Sequence, residues 1–279
     1  MNERAPEQFS LLGGEALDMT YCMGILVREG VVMMGDTRTN AGVDNVSTYR
    51  KLRVMETQGD RVIAVASAGS LSVTQSALSR VALGVTMPDS GEMETLTSAP
   101  TVFRAAQIVG HALSEAKATI DAVVRNESSA RRDRVLTDAT LLLSGTIDGR
   151  RPRLFLIYGA GNFIECQQDT PFLQIGEHKY GKPVLDRMIS YDTPLAEAIK
   201  VGLISFSATM RSNLAVGLPI DLITIRSGVS KIELSHRIGP DDEYYGELND
   251  RWSNALRAAA AAIPLPAYAS EPDIDAMFD

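Results

Sequence analysis

Histidine and cysteine are scarce in this 279-residue chain, and their scarcity removes whole classes of chemistry. Cys22 and Cys166 are the two cysteines, too few for a disulfide framework and in keeping with a reducing compartment. The three histidines, His111, His178 and His236, lie far apart without metal-ligand spacing, and neither HExxH nor GxSxG occurs. Neither a metal site nor a serine triad is therefore expected. There is no glycine-rich phosphate loop and no repeat of fixed period, so no cofactor is expected either. Positive charge is also short. The 27 Lys and Arg residues face 35 Asp and Glu, for a net charge of −8, which argues against a nucleic-acid partner because phosphates demand a basic face. No apolar run approaches the roughly 18 residues that a membrane-spanning helix needs. The opening residues, MNERAPEQFSLLGGEALD, lack the basic start and apolar stretch of a signal peptide. These absences predict a cytoplasmic protein with no membrane partner.

What remains is the composition of an ordinary globular chain, 45% hydrophobic and 22% charged, with enough length to bury a core without staples. Residues 20 to 36 read as a hairpin: the apolar run TYCMGILVR, a turn at Glu29-Gly30, then VVMMGD. A polar loop, TRTNAGVDNVST, leads to the strands YRKLRVM and RVIAVASAG, with a turn at Gly59-Asp60 between them. Helical spacing follows from Ser70 to Leu83. It is stronger from Thr101 to Val124, where Val102, Ala105, Ala106, Val109, Ala112, Leu113 and Ala116 share a face. A charged loop, NESSARRDR, separates these helices from the strands ATLLLSGTI, RLFLIYGAG and NFIEC. Helices are expected over 180–189 and 193–212, then the strands PIDLITIRS and KIELSHRIG, then a helix near Glu247 to Ala262. The tail from residue 264 is Pro-rich and acidic and is expected to be mobile. Grouped strands alternating with grouped helices predict an α+β layered sandwich and not a parallel βαβ sheet.

Three residues near the start of this core make chemical sense together. Thr20 begins the first strand, Asp36 ends the second, and Lys51 opens the third. A hairpin brings Thr20 and Asp36 to its open end. A threonine hydroxyl needs a base to become a nucleophile, and a free α-amino group on Thr20 would serve, directly or through a water. Lys51 beside it would favour the neutral amine, and Asp36 would hold and neutralise Lys51. Any one of these residues is more often an ordinary surface or ion-pair residue; the three together point to N-terminal-nucleophile chemistry. Cys22 shares the strand face of Thr20, where a buried structural cysteine is the better reading than a nucleophile.

The spacing of Thr20, Asp36 and Lys51 resembles that of proteasome β-type subunits, including the bacterial HslV group. The motifs MTYCMGIL, DTRTNAGVDNVSTYRKL, SAGSLSVTQ, QIGEHKYGKPVLDR and TMRSNLAVGLPIDL are more closely similar to Anbu, the bacterial proteasome-type protease family. The resemblance runs from about Met19 to Ile263. It implies a four-layer αββα sandwich of two antiparallel sheets flanked by helices, spanning 20–263. It also implies a homo-oligomer, as a ring or a spiral, and threonine-type endopeptidase activity on a peptide or protein substrate. By the same resemblance Thr20 is the nucleophile, with Asp36 and Lys51 as its supporting pair. Ser67-Ala68-Gly69 stands where the β-subunits have their oxyanion loop, so the backbone N–H groups of Ala68 and Gly69 would hold the charged oxygen. Alanine at 68 is tolerable if its φ is negative.

The chain departs from the proteasome pattern at three places. Glu177 replaces the serine of the GSG motif, and Asn213 replaces a later acidic partner; both fit the Anbu pattern. The third is the leader at 1–19, since relatives of this kind begin at Met-Thr. Either Met19 is the true start, with Gly14-Glu15 encoded by a purine-rich ribosome-binding sequence, or 1–19 is a propeptide, although it ends Asp-Met and not in glycine. Two other functions stay open beside the peptidase: an amidase of the same superfamily acting on a specialised peptide-like substrate, and a catalytically silent scaffold if the leader is retained. Substrate, subunit count and any unfoldase partner are not assigned.

Overall fold

The apolar run after Thr20 folds as a hairpin of two almost fully buried strands, β1 (Tyr21–Val27) and β2 (Gly30–Asp36), in which Met23 pairs with Met34 and Ile25 with Val32. Nearly every residue is inaccessible on both faces, because one face meets a second sheet and the other meets helices. The computed structural model describes residues 20–40, 46–57, 59–125, 137–266, 268 and 269. The leader 1–19 lies outside them, as do 267 and 270–279 of the tail and the whole of the charged loop NESSARRDR that follows the second helix.

Two five-stranded antiparallel sheets make the centre. The first contains β1 and β2 with β12 (Phe172–Gly176), β13 (Ile220–Arg226) and β14 (Ile232–Ile238), in the order β12-β1-β2-β13-β14. The second contains β5 (Leu52–Glu56), β6 (Arg61–Gly69), β9 (Ala139–Ile147), β10 (Arg153–Ile157) and β11 (Phe163–Glu165), in the order β11-β10-β9-β6-β5. Two short ribbons stand apart, β3 (Arg38–Asn40) with β4 (Val46–Thr48) and β7 (Val85–Thr86) with β8 (Met93–Glu94). Between the sheets lies an apolar layer that includes Cys22, Met33, Leu52, Val62, Ala64, Ala66, Leu142, Leu156 and Ile223.

Helices cover both outer faces. α1 (Leu71–Leu83) and α2 (Val102–Arg125) pack Val73, Ala77, Ala105, Val109 and Leu113 against Ile63, Val65, Leu141, Leu143 and Phe155 of the second sheet. α3 (Lys182–Met188) and α4 (Leu195–Ser212) cover the first. There the Tyr21 and Phe206 rings stand 4.7 Å apart, and Gly202 lets α4 settle on Met34 and Ile25. The arrangement is the expected αββα sandwich. A separate compact unit begins at Asp241 and contains α5 (Glu243–Ala262). No helix among the described residues is long and apolar enough to cross a membrane.

The structure departs from the sequence reading at three places. The strand β12 was not expected, because FLQIG is short and acquires its partner, β1, from a distant part of the chain. The polar loop after Asp36 contributes the ribbon β3–β4, with 41–45 outside the described residues. Helix α5 starts at Glu243, earlier than Glu247, because the Asp242 carboxylate caps it by accepting from the Tyr245 N–H at 2.8 Å.

Backbone contact at Gly145 offers a test of the central sheet. A Cβ there would stand 2.3 Å from the Val62 carbonyl oxygen, whereas one at Gly239 would meet nothing within 4 Å. Gly145→Ala is expected to cost about 1–3 kcal/mol and Gly239→Ala to stay within about 0.5 kcal/mol, both read from urea unfolding midpoints.

Candidate active site

Thr20 immediately precedes β1 and is almost wholly buried. Its carbonyl accepts the Glu177 N–H at 2.7 Å, extending the β1–β12 ladder by one bond. The residue before Glu177, Gly176, has φ +77°, and a Cβ there would stand 2.0 Å from Thr20 O. Only glycine fits that approach. The peptide N–H that follows Thr20, that of Tyr21, donates to Asp36 Oδ1 at 2.9 Å.

Asp36 Oδ1 also accepts from Lys51 Nζ at 2.8 Å, and Lys51 donates further to the Arg38 carbonyl at 2.6 Å. The two side chains are 0% and 2% exposed. Burial pushes the Asp36 carboxyl above the ordinary carboxylate range, opposed by the Lys51 ammonium and by the Tyr21 and Gly217 amides. Asp36 belongs to the first sheet, and Lys51 directly precedes β5 of the second, so this ion pair bridges the sandwich.

The third segment arrives from β6. Ser67 N–H donates to Lys51 O at 3.1 Å, and the Cys22 thiol donates to Ser67 O at 3.8 Å, which brings the end of β6 to the start of β1. Ala68 follows with a negative φ, the condition under which alanine is tolerated there; among the described residues other than glycine, Asp148 alone has a positive φ. Gly69 has φ +93°. Burial, and then the nearby Asp36 charge, raise the Cys22 thiol well above its usual value, so it stays protonated and serves packing. Glu177 and Asn213 also come together: Asn213 Nδ2 donates to Glu177 Oε2 at 3.0 Å, and Asn213 caps the end of α4. Among the described residues, no group of three or more His, Cys, Asp or Glu side chains could hold a metal ion.

The sequence reading did not single out the residues that anchor the peptide next to Thr20. Tyr21 Oη is hydrogen-bonded to Ser205 Oγ at 2.7 Å and to Gln174, and Ser205 Oγ donates to Gly181 O at 2.9 Å. A Cβ at Gly181 would stand 2.3 Å from Tyr21 Oη. One signal was available: a tyrosine inside an otherwise apolar buried strand needs a partner for its hydroxyl.

No protein-family model and no curated protein matches the chain. Solved structures do. An Anbu (Gly-1) mutant from Hyphomicrobium sp. strain MC1 is 43% identical, with 88% of this chain and 99% of that one covered at a TM-score of 0.78. Anbu (ancestral beta-subunit) from Yersinia bercovieri is 38% identical, with 89% and 100% covered at a TM-score of 0.78. The chain of the helical assembly of the Anbu complex from Pseudomonas aeruginosa is 36% identical, with 90% and 100% covered at a TM-score of 0.78.

The ion pair predicts a pH-dependent defect when one partner is removed. In Lys51→Met the Asp36 carboxyl loses its main counter-charge, so its folded pKa rises further above its unfolded value near 3.9. A carboxyl with a raised folded pKa is best accommodated below the unfolded value and costs stability as pH rises through the folded one. Lys51→Met is therefore expected to lose little near pH 4 and about 3–5 kcal/mol by pH 8. The double variant Lys51→Met/Asp36→Asn is expected to recover most of that loss, as measured by urea midpoints across the pH range.

Proposed function

The chain belongs to the Anbu family of proteasome-like N-terminal-nucleophile proteins, and we propose that it is a threonine peptidase whose nucleophile is the Thr20 hydroxyl, acting on peptide or protein substrates. The observation that carries this reading is the double use of Asp36 Oδ1, which holds both the Lys51 ammonium and the amide adjoining Thr20 in a buried setting. A structural ion pair has no need to reach the backbone beside a candidate nucleophile.

The reaction needs Thr20 as the first residue. Its α-amine, with an ordinary pKa near 8, takes the hydroxyl proton directly or through a water. Lys51 keeps that amine neutral by like-charge repulsion, and Asp36 keeps Lys51 in place. The alkoxide adds to the scissile carbonyl, and the backbone N–H groups of Ala68 and Gly69 hold the developing oxyanion. Collapse breaks the C–N bond, and the amine product leaves with the proton from the base. Water then hydrolyses the Thr20 ester. Glu177 and Asn213 act at one remove, steadying the segment whose N–H holds Thr20 O. Self-assembly into a homo-oligomer is part of the proposal, supported by the helical assembly of the Pseudomonas aeruginosa relative.

The intact mass of the protein made from its own gene context tests the first requirement, and is expected to begin at Thr20. Thr20→Ala is expected to abolish peptide hydrolysis, by a factor on the order of 10³ or more. A mature chain retaining residues before Thr20, or hydrolysis surviving in Thr20→Ala, overturns the reading.

A further inference from the structure

The two sheets end in open edges on the same flank, β14 of the first and β5 of the second. A cleft of about 560 Å³ opens between β5 and the β13–β14 pair. Its floor is apolar, with Leu52, Leu222 and Ile223 buried. Among the described residues its charged lining is not balanced: Arg50, Arg53 and Arg237 face one carboxylate, Asp221, so three positive charges against one negative leave +2. That local excess sits on a chain whose net charge is −8.

That carboxylate is already engaged. Arg237 grips Asp221 through two hydrogen bonds of 2.6 and 2.8 Å, and Arg50 Nε stands 3.5 Å from Asp221 Oδ2. Arg53 donates instead to neutral oxygens, Tyr49 Oη at 2.8 Å and Arg50 O at 3.3 Å, with its guanidinium 5.0 Å from the Tyr49 ring centre. Such an arginine is oriented without being neutralised by any described carboxylate, which suits it to planar, two-point recognition of a carboxylate. The cleft also adjoins the site. Arg50 directly precedes Lys51, and Asp221 is the cross-strand partner of Gly35, the residue before Asp36. Neighbouring strands lie about 4.8 Å apart.

We propose that this cleft is a specificity subsite that takes the acidic side chains of a peptide substrate, with Arg53 and Arg50 binding the carboxylate and the apolar floor receiving its methylenes. The inference rests on the peptidase reading for its purpose, but its binding test does not depend on turnover. In Thr20→Ala protein, a fluorescein-labelled hexaglutamate peptide is expected to bind roughly tenfold or more tightly than hexaglutamine, by fluorescence anisotropy, with hexalysine weaker still. Arg50→Ser/Arg53→Ser is expected to remove that preference. Asp221→Asn, which releases both arginines from the one competing carboxylate, is expected to tighten hexaglutamate binding severalfold, a gain that a misfolded variant cannot give. Equal binding of hexaglutamate and hexaglutamine overturns the proposal, as does a preference unmoved by the double arginine variant or tighter binding of hexathymidylate. In the wild-type chain, cleavage sites mapped by mass spectrometry in a mixed peptide pool are expected to be enriched in Asp and Glu beside the scissile bond, and Arg50→Ser/Arg53→Ser to lose that enrichment. A chain that binds hexaglutamate as expected but hydrolyses nothing leaves the subsite standing and sinks the peptidase reading alone.

Discussion

The Lys51–Asp36 ion pair is the interaction on which this end of the molecule depends, because it joins the two sheets through charges removed from water. Each ion alone would carry a desolvation cost of several kcal/mol in the interior. The pair is tolerable because the ammonium also has the Arg38 carbonyl and the carboxylate also has the Tyr21 amide. Geometry is set as a consequence. The last residue of β2, the residue before β5 and the first peptide of β1 must meet at one oxygen atom, and displacing any of them leaves a buried charge less well solvated. A chain that needed only cohesion between its sheets would do as well with apolar side chains of similar volume.

Around that fixed point, close backbone approach does the remaining positioning. Gly176 lets β12 press against Thr20 O, and Gly181 lets the start of α3 press against Tyr21 Oη and Ser205 Oγ. The first two residues of the β1 segment are thus held from the β12 side as well as from the β2 side. The helices α3 and α4 therefore do more than cover an apolar face, since Ser205 of α4 links Tyr21, beside the candidate nucleophile, to the Gly181 carbonyl at the start of α3. On the opposite flank the sheets are open, and charge collects there. The arginines of β14 and of the segment around β5 come together across the gap, although they belong to different sheets and distant parts of the chain.

Legibility in the sequence followed the range of the interactions involved. The hairpin β1–β2, the strand Arg61–Gly69 and the helix Val102–Arg125 were readable because their apolar patterns and the turns beside them are local. Strand β12 was not: FLQIG carries too little pattern to declare itself, and its strand character comes from Tyr21–Ile25 as partner. Thr20, Asp36 and Lys51 could be nominated because a hairpin and the next strand bring them to one end by chain geometry, and because their spacing resembles a known family. Glu177 and Asn213 were nominated from that resemblance alone, and the hydrogen bond between their side chains depends on where α4 ends relative to β12.

What the sequence alone determined is therefore most of the elements, their apolar faces, and the trio Thr20, Asp36 and Lys51 placed near one another by short-range connectivity. Tertiary structure decided what contacts that trio makes. That Asp36 serves Lys51 and the Tyr21 amide with the same oxygen follows from the way the two sheets stack. That Gly176 must be glycine follows from the distance between β12 and Thr20, and that Tyr21 finds Ser205 follows from the seating of α4. The basic cleft is likewise absent from any local pattern. Arg50, Arg53 and Arg237 are unremarkable in sequence and become a site only when two open sheet edges align, because Coulomb interactions depend on distance through space and not along the chain.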